Sequence, residues 1–370
     1  MAGHYFSTLK LSHFRSHLIS EISLDGRIVV LSGPNGAGKT NALEAISLFS
    51  PGRGLRSSSA DEISRRPGEI GWKVAGRLVS PHREIYLETY SRESSPRRVA
   101  IDGKPAKLSD LARTTRILWL TPVMDRLWIE SAAGRRRFLD RISMSFFPDH
   151  ANASIGYDKA MRERNRLLKD KVSNDGWYDA LEIQMARHGS RISANRIKAA
   201  ERINEAQSDS LSRFPVAKLS VTGSELEGSR LENEDDLSAI LKDCRPRDLA
   251  AGRSLAGPHR ADLETTYASN GLPARNCSTG EQKALLVSIV LANARALSGD
   301  LGISPVLLLD EVSAHLDESR RAALYEEILS LRLQAWVTGT DISHFEKLIR
   351  NAQHFSVVIE NGISTILPCK

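Results

Sequence analysis

Arg27-Ile-Val-Val-Leu-Ser-Gly33-Pro-Asn-Gly-Ala-Gly-Lys-Thr40 decides the fold. A short apolar, β-prone run leads directly into G-x-x-x-x-G-K-T, and the pattern that follows, from Lys39 to Phe49, is helical. Strand, Gly-rich turn and helix in that order make a phosphate loop. Gly36 and Gly38 let backbone N–H groups turn inward, and the helix N-terminus adds positive potential. Lys39 reaches the outer phosphates and Thr40 offers its hydroxyl to Mg²⁺. Gly33, Pro34, Asn35 and Ala37 complete the loop, and Asn41 follows it on the helix.

A second element lies far downstream. Pro305-Val-Leu-Leu-Leu-Asp-Glu311 is an apolar run ending in two carboxylates, which a buried parallel strand presents at its C-terminal edge, where such sheets bind ligands. There Asp310 suits a metal's water shell and Glu311 suits a general base for an attacking water. Taken alone, the pair could equally open a surface loop. The third element, Ser278-Thr-Gly-Glu-Gln-Lys283, begins a helix; Ser278 and the N–H groups of Thr279 and Gly280 could cap it or meet an anion.

Taken in order, and with Ala314-His-Leu-Asp317 after the carboxylates, these motifs resemble the phosphate loop, signature motif, Walker B strand and D-loop of the ABC superfamily. That resemblance implies an α/β P-loop ATPase head that takes ATP and Mg²⁺. It also implies an ATP-dependent homodimer in which Ser278 of one subunit meets the nucleotide held by the other.

The 370 residues are 41% hydrophobic, enough for a substantial core and two or three lobes. Lys and Arg exceed Asp and Glu by 51 to 45, a formal charge of +6 that suits an anionic partner. Cys244, Cys277 and Cys369 form no C-x-x-C pair, so neither a zinc site nor a disulfide framework is indicated. The start has no signal-peptide pattern, and Ala284 to Ala294 is too short to span a bilayer; a cytoplasmic protein without a membrane segment is expected.

Tyr5 to Leu11 alternates as a strand. Residues 70–104 read as an antiparallel accessory sheet with a hairpin turn at Asp102-Gly103. From Gly134 to Phe214 the pattern is helical, with a break at Ser173-Asn-Asp-Gly176; Gly223 to Asp236 reads as an acidic, polar connection. The expected organisation is a first ATPase lobe at 1–122, a helical lobe at 123–245 and the rest of the head at 246–370.

Within the superfamily, transporter heads share the nucleotide motifs, and a soluble transporter ATPase subunit is the competing reading. A DNA-repair assignment accounts better for a basic helical lobe between phosphate loop and signature. Leu9-Lys-Leu-Ser-His-Phe-Arg15, Gly38-Lys-Thr-Asn-Ala-Leu-Glu-Ala-Ile46, Gly52-Arg-Gly-Leu-Arg56, Arg135-Arg-Arg-Phe-Leu-Asp140 and Gly257-Pro-His-Arg260 resemble the RecF family of recombination mediators. Long-armed relatives need coiled-coil heptads, and Rad50 a C-x-x-C hook, which this chain lacks.

The RecF resemblance implies binding to double-stranded and gapped DNA, action with RecR and RecO in loading RecA, and roles in DNA replication recovery and the SOS response. It implies a weak, DNA-dependent ATPase acting as a switch. Arg15, Gly280 and Asp317 enter the expected nucleotide site through these matched motifs. Two departures stand out. No Gln lies between the phosphate loop and Gln184, so Asp125 is the candidate for the Q-loop position, and Thr340-Asp341 stands where a switch histidine is expected. The family's Gly-Pro-His-Arg-Asp-Asp run reads Gly257-Pro-His-Arg-Ala-Asp262 here.

For DNA, Arg187, Arg191, Lys198 and Arg202 fall in one stripe at helical spacing, opposite Met185, Ile192, Ala199 and Ile203, and would neutralise phosphates. A solvated helix face would look the same. Arg162, Arg164, Arg166, Lys169 and Lys171 add a second basic run. Arg135 to Arg137 could serve nucleotide, DNA or the dimer interface.

Overall fold

The computed structural model describes residues 3–66, 70–93, 95–208, 213–223, 225–226, 229–312 and 316–369. The chain divides into two compact units, one of Met1–Asp125, Ser210–Pro215 and Thr279–Lys370, the other of Arg126–Asp209 and Val216–Ser278. Residues 246–278 therefore belong with the helical unit, and the boundary expected at 246 falls at 279. The cause is strand pairing: Asp262–Tyr267 runs antiparallel to Ala217–Thr222, which draws that stretch out of the head.

The first unit contains two six-stranded sheets. The antiparallel one is formed by β1 (Tyr5–Phe14), β2 (His17–Ser23), β4 (Trp72–Val79), β5 (Glu84–Ser91), β6 (Arg98–Ile101) and β7 (Lys104–Ala106), in the order β2-β1-β4-β5-β6-β7. The accessory sheet expected at 70–104 is thus continuous with the N-terminal hairpin. The other sheet uses β3 (Ile28–Ser32), β8 (Ile117–Leu120), β13 (Val306–Leu309), β14 (Ala335–Gly339), β15 (Ala352–Glu360) and β16 (Ile363–Pro368), in the order β16-β15-β3-β14-β13-β8. Its strands from β15 to β8 are parallel, and β3, β13 and β14 are buried at every residue. Unbroken apolar runs such as Ile28-Val-Val-Leu31 follow from burial on both faces.

The phosphate-loop helix, Lys39–Ser47, packs in the core shared by the sheets. Ala42, Leu43 and Ile46 join Phe6, Leu9, Leu11 and Phe14 of β1 and Val29, Leu31, Leu308 and Val357 of the parallel sheet. Each such buried Val, Leu, Ile or Phe side chain contributes about 1.5–3 kcal/mol. Two polar side chains, one buried and one partly exposed, fix how β1 and this helix sit. Gln334, fully buried at the start of β14, accepts from Phe6 N and donates to Phe6 O, both at 3.0 Å. Arg97 donates to the carbonyls of Leu48, Ser50 and Gly52 and to Thr89 Oγ1, so it closes the C-terminal end of the helix. Burial holds the Arg97 pKa down to about 10, still charged at neutral pH.

The second unit is built on three helices, Ala132–Phe146, His150–Lys169 and Asp175–Ser208, with β9 (Ala217–Thr222) and β12 (Asp262–Tyr267) and a small hairpin of β10 (Glu225–Leu226) and β11 (Ser229–Arg230). The last long helix begins at Asp175, two residues before Trp177. Gly176 is tolerated there because first-turn N–H groups have no intrahelical partner. The stretch expected as a plain connection, 223–236, instead carries the β10–β11 hairpin, and a further helix, Glu234–Asp243, starts at its end. Asn233 caps it by accepting from Asp235 N at 2.9 Å, and Glu234, Asp235 and Asp236 place negative charge on its first turn.

The core of this unit joins Ala153, Tyr157, Met185, Ile192, Leu237 and Leu241. Beside it lies a charged network. Arg164, 0% exposed, meets Glu182 and Asp248, and Arg245 joins Glu182, Asp179 and Asp175. Arg164 is thereby removed from the expected basic surface run. None of the described helices is long and apolar enough to cross a membrane.

Candidate nucleotide site

The phosphate loop connects β3 to its helix at the C-terminal edge of the parallel sheet. Gly38 occupies the N-cap with φ 108°, no side chain caps the helix, and its first turn carries no acidic residue. The first N–H groups are therefore bare donors with the helix dipole behind them. Gly33 is required by close approach: a Cβ there would lie 2.2 Å from the Val357 carbonyl oxygen of β15. Gly33→Ala is expected to displace the loop from β15 and weaken nucleotide binding by at least about tenfold, since misplaced donors forfeit one or more charge-assisted bonds. Calorimetric titration with MgATP checks this, and an unchanged affinity would contradict it.

Lys39 is buried, and its ammonium donates to Gly33 O at 2.8 Å and Pro34 O at 2.9 Å, 4.0 Å from Glu311 Oε1. Burial lowers its pKa, while Glu311 and Asp310 act to raise it. Thr40 Oγ1 lies 2.9 and 3.0 Å from the two Asp310 oxygens. Asp310 also accepts from Thr338 Oγ1 at 2.8 Å, and Thr338 Oγ1 accepts the Glu311 N–H at 2.9 Å. Glu311 has φ 50°, a left-handed turn that ends the strand direction immediately after Asp310.

Lys39, Thr40, Asp310 and Glu311 thus converge from two distant segments, as the motifs implied. One hydroxyl and one carboxylate form the sparse oxygen set that Mg²⁺ uses when phosphates and waters supply the rest. Lys39 rests on loop carbonyls that phosphate oxygens can replace. The residues fit ATP with Mg²⁺: Gly33 to Thr40 would hold the phosphates, and Thr40 and Asp310 the metal.

Thr338 is a site residue that motif reading missed. Its position follows from register: Leu309 pairs with Val337, which sets Thr338 beside Asp310. Threonine in the otherwise apolar run Ala335-Trp-Val-Thr-Gly339 was the available signal.

Other expected residues have different partners. Arg15 is engaged by Glu44, with Nε and Nη2 at 2.9 and 2.7 Å from its two oxygens, and Arg56 shares that fully buried carboxylate at 3.2 Å. Asn41 is held at both ends, donating to Ser16 Oγ at 2.7 Å and accepting from Arg56 at 2.8 Å. Both residues organise the loop's helix in this structure rather than presenting free polar groups. Pro34, Asn35 and Gly36 are exposed, and Ala37 is buried beneath them.

Asp125 accepts from Lys283 of the signature segment at 3.3 Å, and its Oδ1 is buried with no hydrogen-bond partner among the described residues. Gly280 accepts through its carbonyl from Arg320 at 3.2 Å. Asp317 caps the helix Glu318–Leu331, accepting from Arg320 N at 2.8 Å. Ala314 and His315 of the expected D-loop lie outside the described residues. Ser278 ends the second unit's sequence, one residue before the helix Thr279–Asp300. Asp341 accepts from Ser343 N at 2.8 Å, capping a short turn.

In the helical unit Arg187, Arg191 and Lys198 are exposed as expected, but Arg202 is half-buried over the rings of Phe146 and Phe147, at 5.3 and 5.2 Å. The helix end at Phe146 puts both rings beneath it, so Arg202 serves packing there. Arg135 grips Asp262 through two bonds of 2.9 and 2.6 Å, and Arg136 donates to Ala261 O at 2.8 Å. His259 meets the Tyr157 hydroxyl at 2.8 Å. The Gly257-Pro-His-Arg segment is therefore bound into the unit's own frame.

Residues 5–365 match the family described as RecF/RecN/SMC N terminal domain. A protein named DNA replication and repair protein RecF from Mesorhizobium japonicum (strain LMG 29417 / CECT 9101 / MAFF 303099) is 44% identical over 365 residues, covering 95% of this chain and 96% of its own length. Its namesake from Rhizobium etli (strain CIAT 652) is 43% identical over 361 residues, with coverages of 95% and 96%. Among solved structures, one described as the recombination mediator protein RecF-ATP in the RecFOR pathway superposes with a TM-score of 0.84 at 24% identity, covering 99% of this chain and 100% of that one. An Smc head domain from Pyrococcus furiosus gives 0.57 at 17% identity, with coverages of 99% and 96%. At these identities the structural likeness concerns the fold, an ABC-type ATPase head.

Proposed function

The chain belongs to the RecF family of RecF/RecN/SMC-type proteins, and from that premise we propose that it is an ATP-dependent DNA-binding protein of recombinational repair and DNA replication recovery. Two copies close head to tail on two nucleotides, Ser278 of each completing the site that the other opens with Gly33 to Thr40. The dimer holds gapped or junction double-stranded DNA and, with RecR and RecO, helps load RecA, with a part in the SOS response in the cytoplasm. Hydrolysis is slow and times the release of the dimer.

The carrying observation is the convergence of Lys39, Thr40, Asp310, Thr338 and Glu311 at one sheet edge. Bound Mg²⁺ supplies positive charge against the phosphates. Lys39 orients the outer phosphate oxygens, and Glu311 is the group that accepts a proton from the attacking water. Asp125 in place of the Q-loop glutamine and Thr340-Asp341 in place of the switch histidine favour a slow switch over a rapid motor.

Ser278→Arg is expected to leave MgATP affinity within about twofold while abolishing ATP-dependent dimerisation, because a bulky cation intrudes only on the other subunit's nucleotide. Light scattering with and without ATP on a gapped duplex measures it. A variant that dimerises like the wild type counts against the sandwich, and wild type with no DNA affinity at moderate salt counts against the DNA role.

A further inference from the structure

His17, the first residue of β2, is fully buried beneath the phosphate loop. Its Nε2 lies 3.3 Å from the Gly38 carbonyl oxygen and its Nδ1 lies 2.9 Å from Ser20 Oγ. A carbonyl can only accept, so the proton sits on Nε2, and Nδ1 takes the Ser20 hydroxyl proton. Burial, the largest cause, and the Arg65 charge lower the His17 pKa, against the Gly38 and Ser364 backbone contacts that raise it; the ring is neutral at pH 7.

Peptide planarity gives this bond a consequence at the loop's open side. In a trans peptide the C=O and N–H point in opposite directions. Holding the Gly38 carbonyl against His17 therefore turns the Lys39 N–H away from the core, in the direction a phosphate oxygen must approach. The same carbonyl takes the Ala42 N–H at 3.2 Å, so one oxygen anchors both the helix start and the loop.

The surroundings are equally constrained. A Cβ on Gly38 would lie 2.6 Å from Ser364 Oγ and 3.0 Å from Ser16 Oγ. Ser364 donates to Ser16 Oγ at 2.6 Å, and Arg65 donates to the carbonyls of Ser16 and Gly362, both at 2.9 Å. The β1–β2 turn and the β15–β16 turn are thus tied together under Gly38, with no part of that tie within the phosphate-loop motif.

We propose that His17 is a positioning residue for nucleotide binding, presetting the Gly38–Lys39 peptide through its Nε2–H bond so that the loop receives the phosphates of MgATP without reorganising. This rests on the reading of Gly33 to Thr40 as the nucleotide site.

The test uses the full chain, with calorimetric titration of MgATP and thermal melts without nucleotide. His17→Leu fills the space but removes the donor, and is expected to weaken MgATP up to about tenfold, the upper end of the net worth of one hydrogen bond. His17→Gln keeps an N–H at the Nε2 position and is expected to bind within about threefold of wild type. A Leu variant that binds as tightly as wild type overturns the proposal, as does a folded Gln variant that loses as much as Leu. Should the Leu variant fail to fold, the Gln variant decides: near-wild-type affinity supports the role and a tenfold loss overturns it. Wild type that does not bind MgATP overturns both the nucleotide reading and this role, whereas wild type that binds beside an unaffected Leu variant overturns this role alone.

Discussion

Arg164→Ala is expected to destabilise the helical unit by about 3–5 kcal/mol, the cost of leaving buried charge without its partner. The side chain is fully buried, and each of its five N–H groups has an acceptor. Nε and Nη2 donate to Glu182 Oε1 at 3.0 and 2.8 Å, and Nη1 to Asp248 Oδ2 at 2.6 Å and Ser254 Oγ at 2.8 Å; Nη2 also reaches Leu241 O at 3.2 Å. Among the described residues, truncation leaves Asp248 with no cation and Glu182 with Arg245 alone. Arg164→Lys keeps the charge but not the planar fork, so it should fall between Ala and wild type. Urea denaturation followed by circular dichroism measures this, and a loss below about 1 kcal/mol for Ala would mean the network is not held as described.

Lys39→Ala should abolish MgATP binding at micromolar nucleotide, with a loss of at least about 100-fold. Its ammonium makes two charge-assisted bonds to loop carbonyls, and exchanging them for phosphate oxygens brings about 1.5–3 kcal/mol per bond. Removing it also takes one donor from each of the Gly33 and Pro34 carbonyls, of which Pro34 keeps the Ala37 N–H at 3.2 Å, and leaves Glu311 without its nearby cation. ATP-dependent dimerisation should disappear with binding, unlike in Ser278→Arg, where binding persists. Titration of the variant with MgATP checks the first effect, and an affinity within tenfold of wild type would remove Lys39 from the role assigned to it.

Much of the candidate nucleotide site was legible because its chemistry is contiguous in the chain. A phosphate loop must be strand, glycines, lysine and helix in succession, and a strand that ends in Asp310-Glu311 carries its own signature of burial followed by charge. Neighbours that come from elsewhere left weaker traces. Thr338 reaches Asp310 through the parallel register of β13 and β14, and His17 reaches Gly38 through the return of the β1–β2 hairpin. Thr338 shows only as a lone hydroxyl in an apolar strand, and His17 stands out by neither type nor spacing.

Charge was the least readable property, because the same cation serves a surface or a core. Arg187, Arg191 and Lys198 are on the surface, as their spacing implied, whereas Arg164 and Arg202 from the same basic runs turn to carboxylates and aromatic rings. Periodicity states which residues share a helix face. It does not state what the neighbouring element brings to that face.

By itself the sequence determined the strand–loop–helix, the buried parallel strands and the family, since local backbone preference and apolar runs act over a few residues. Tertiary structure alone decided that Thr338 would lie beside Asp310, that residues 246–278 would pair into the helical unit, and that His17 would sit beneath Gly38. Those outcomes depend on strand register and on which groups must be satisfied once water is excluded, and both arise only when segments distant in the chain are packed together.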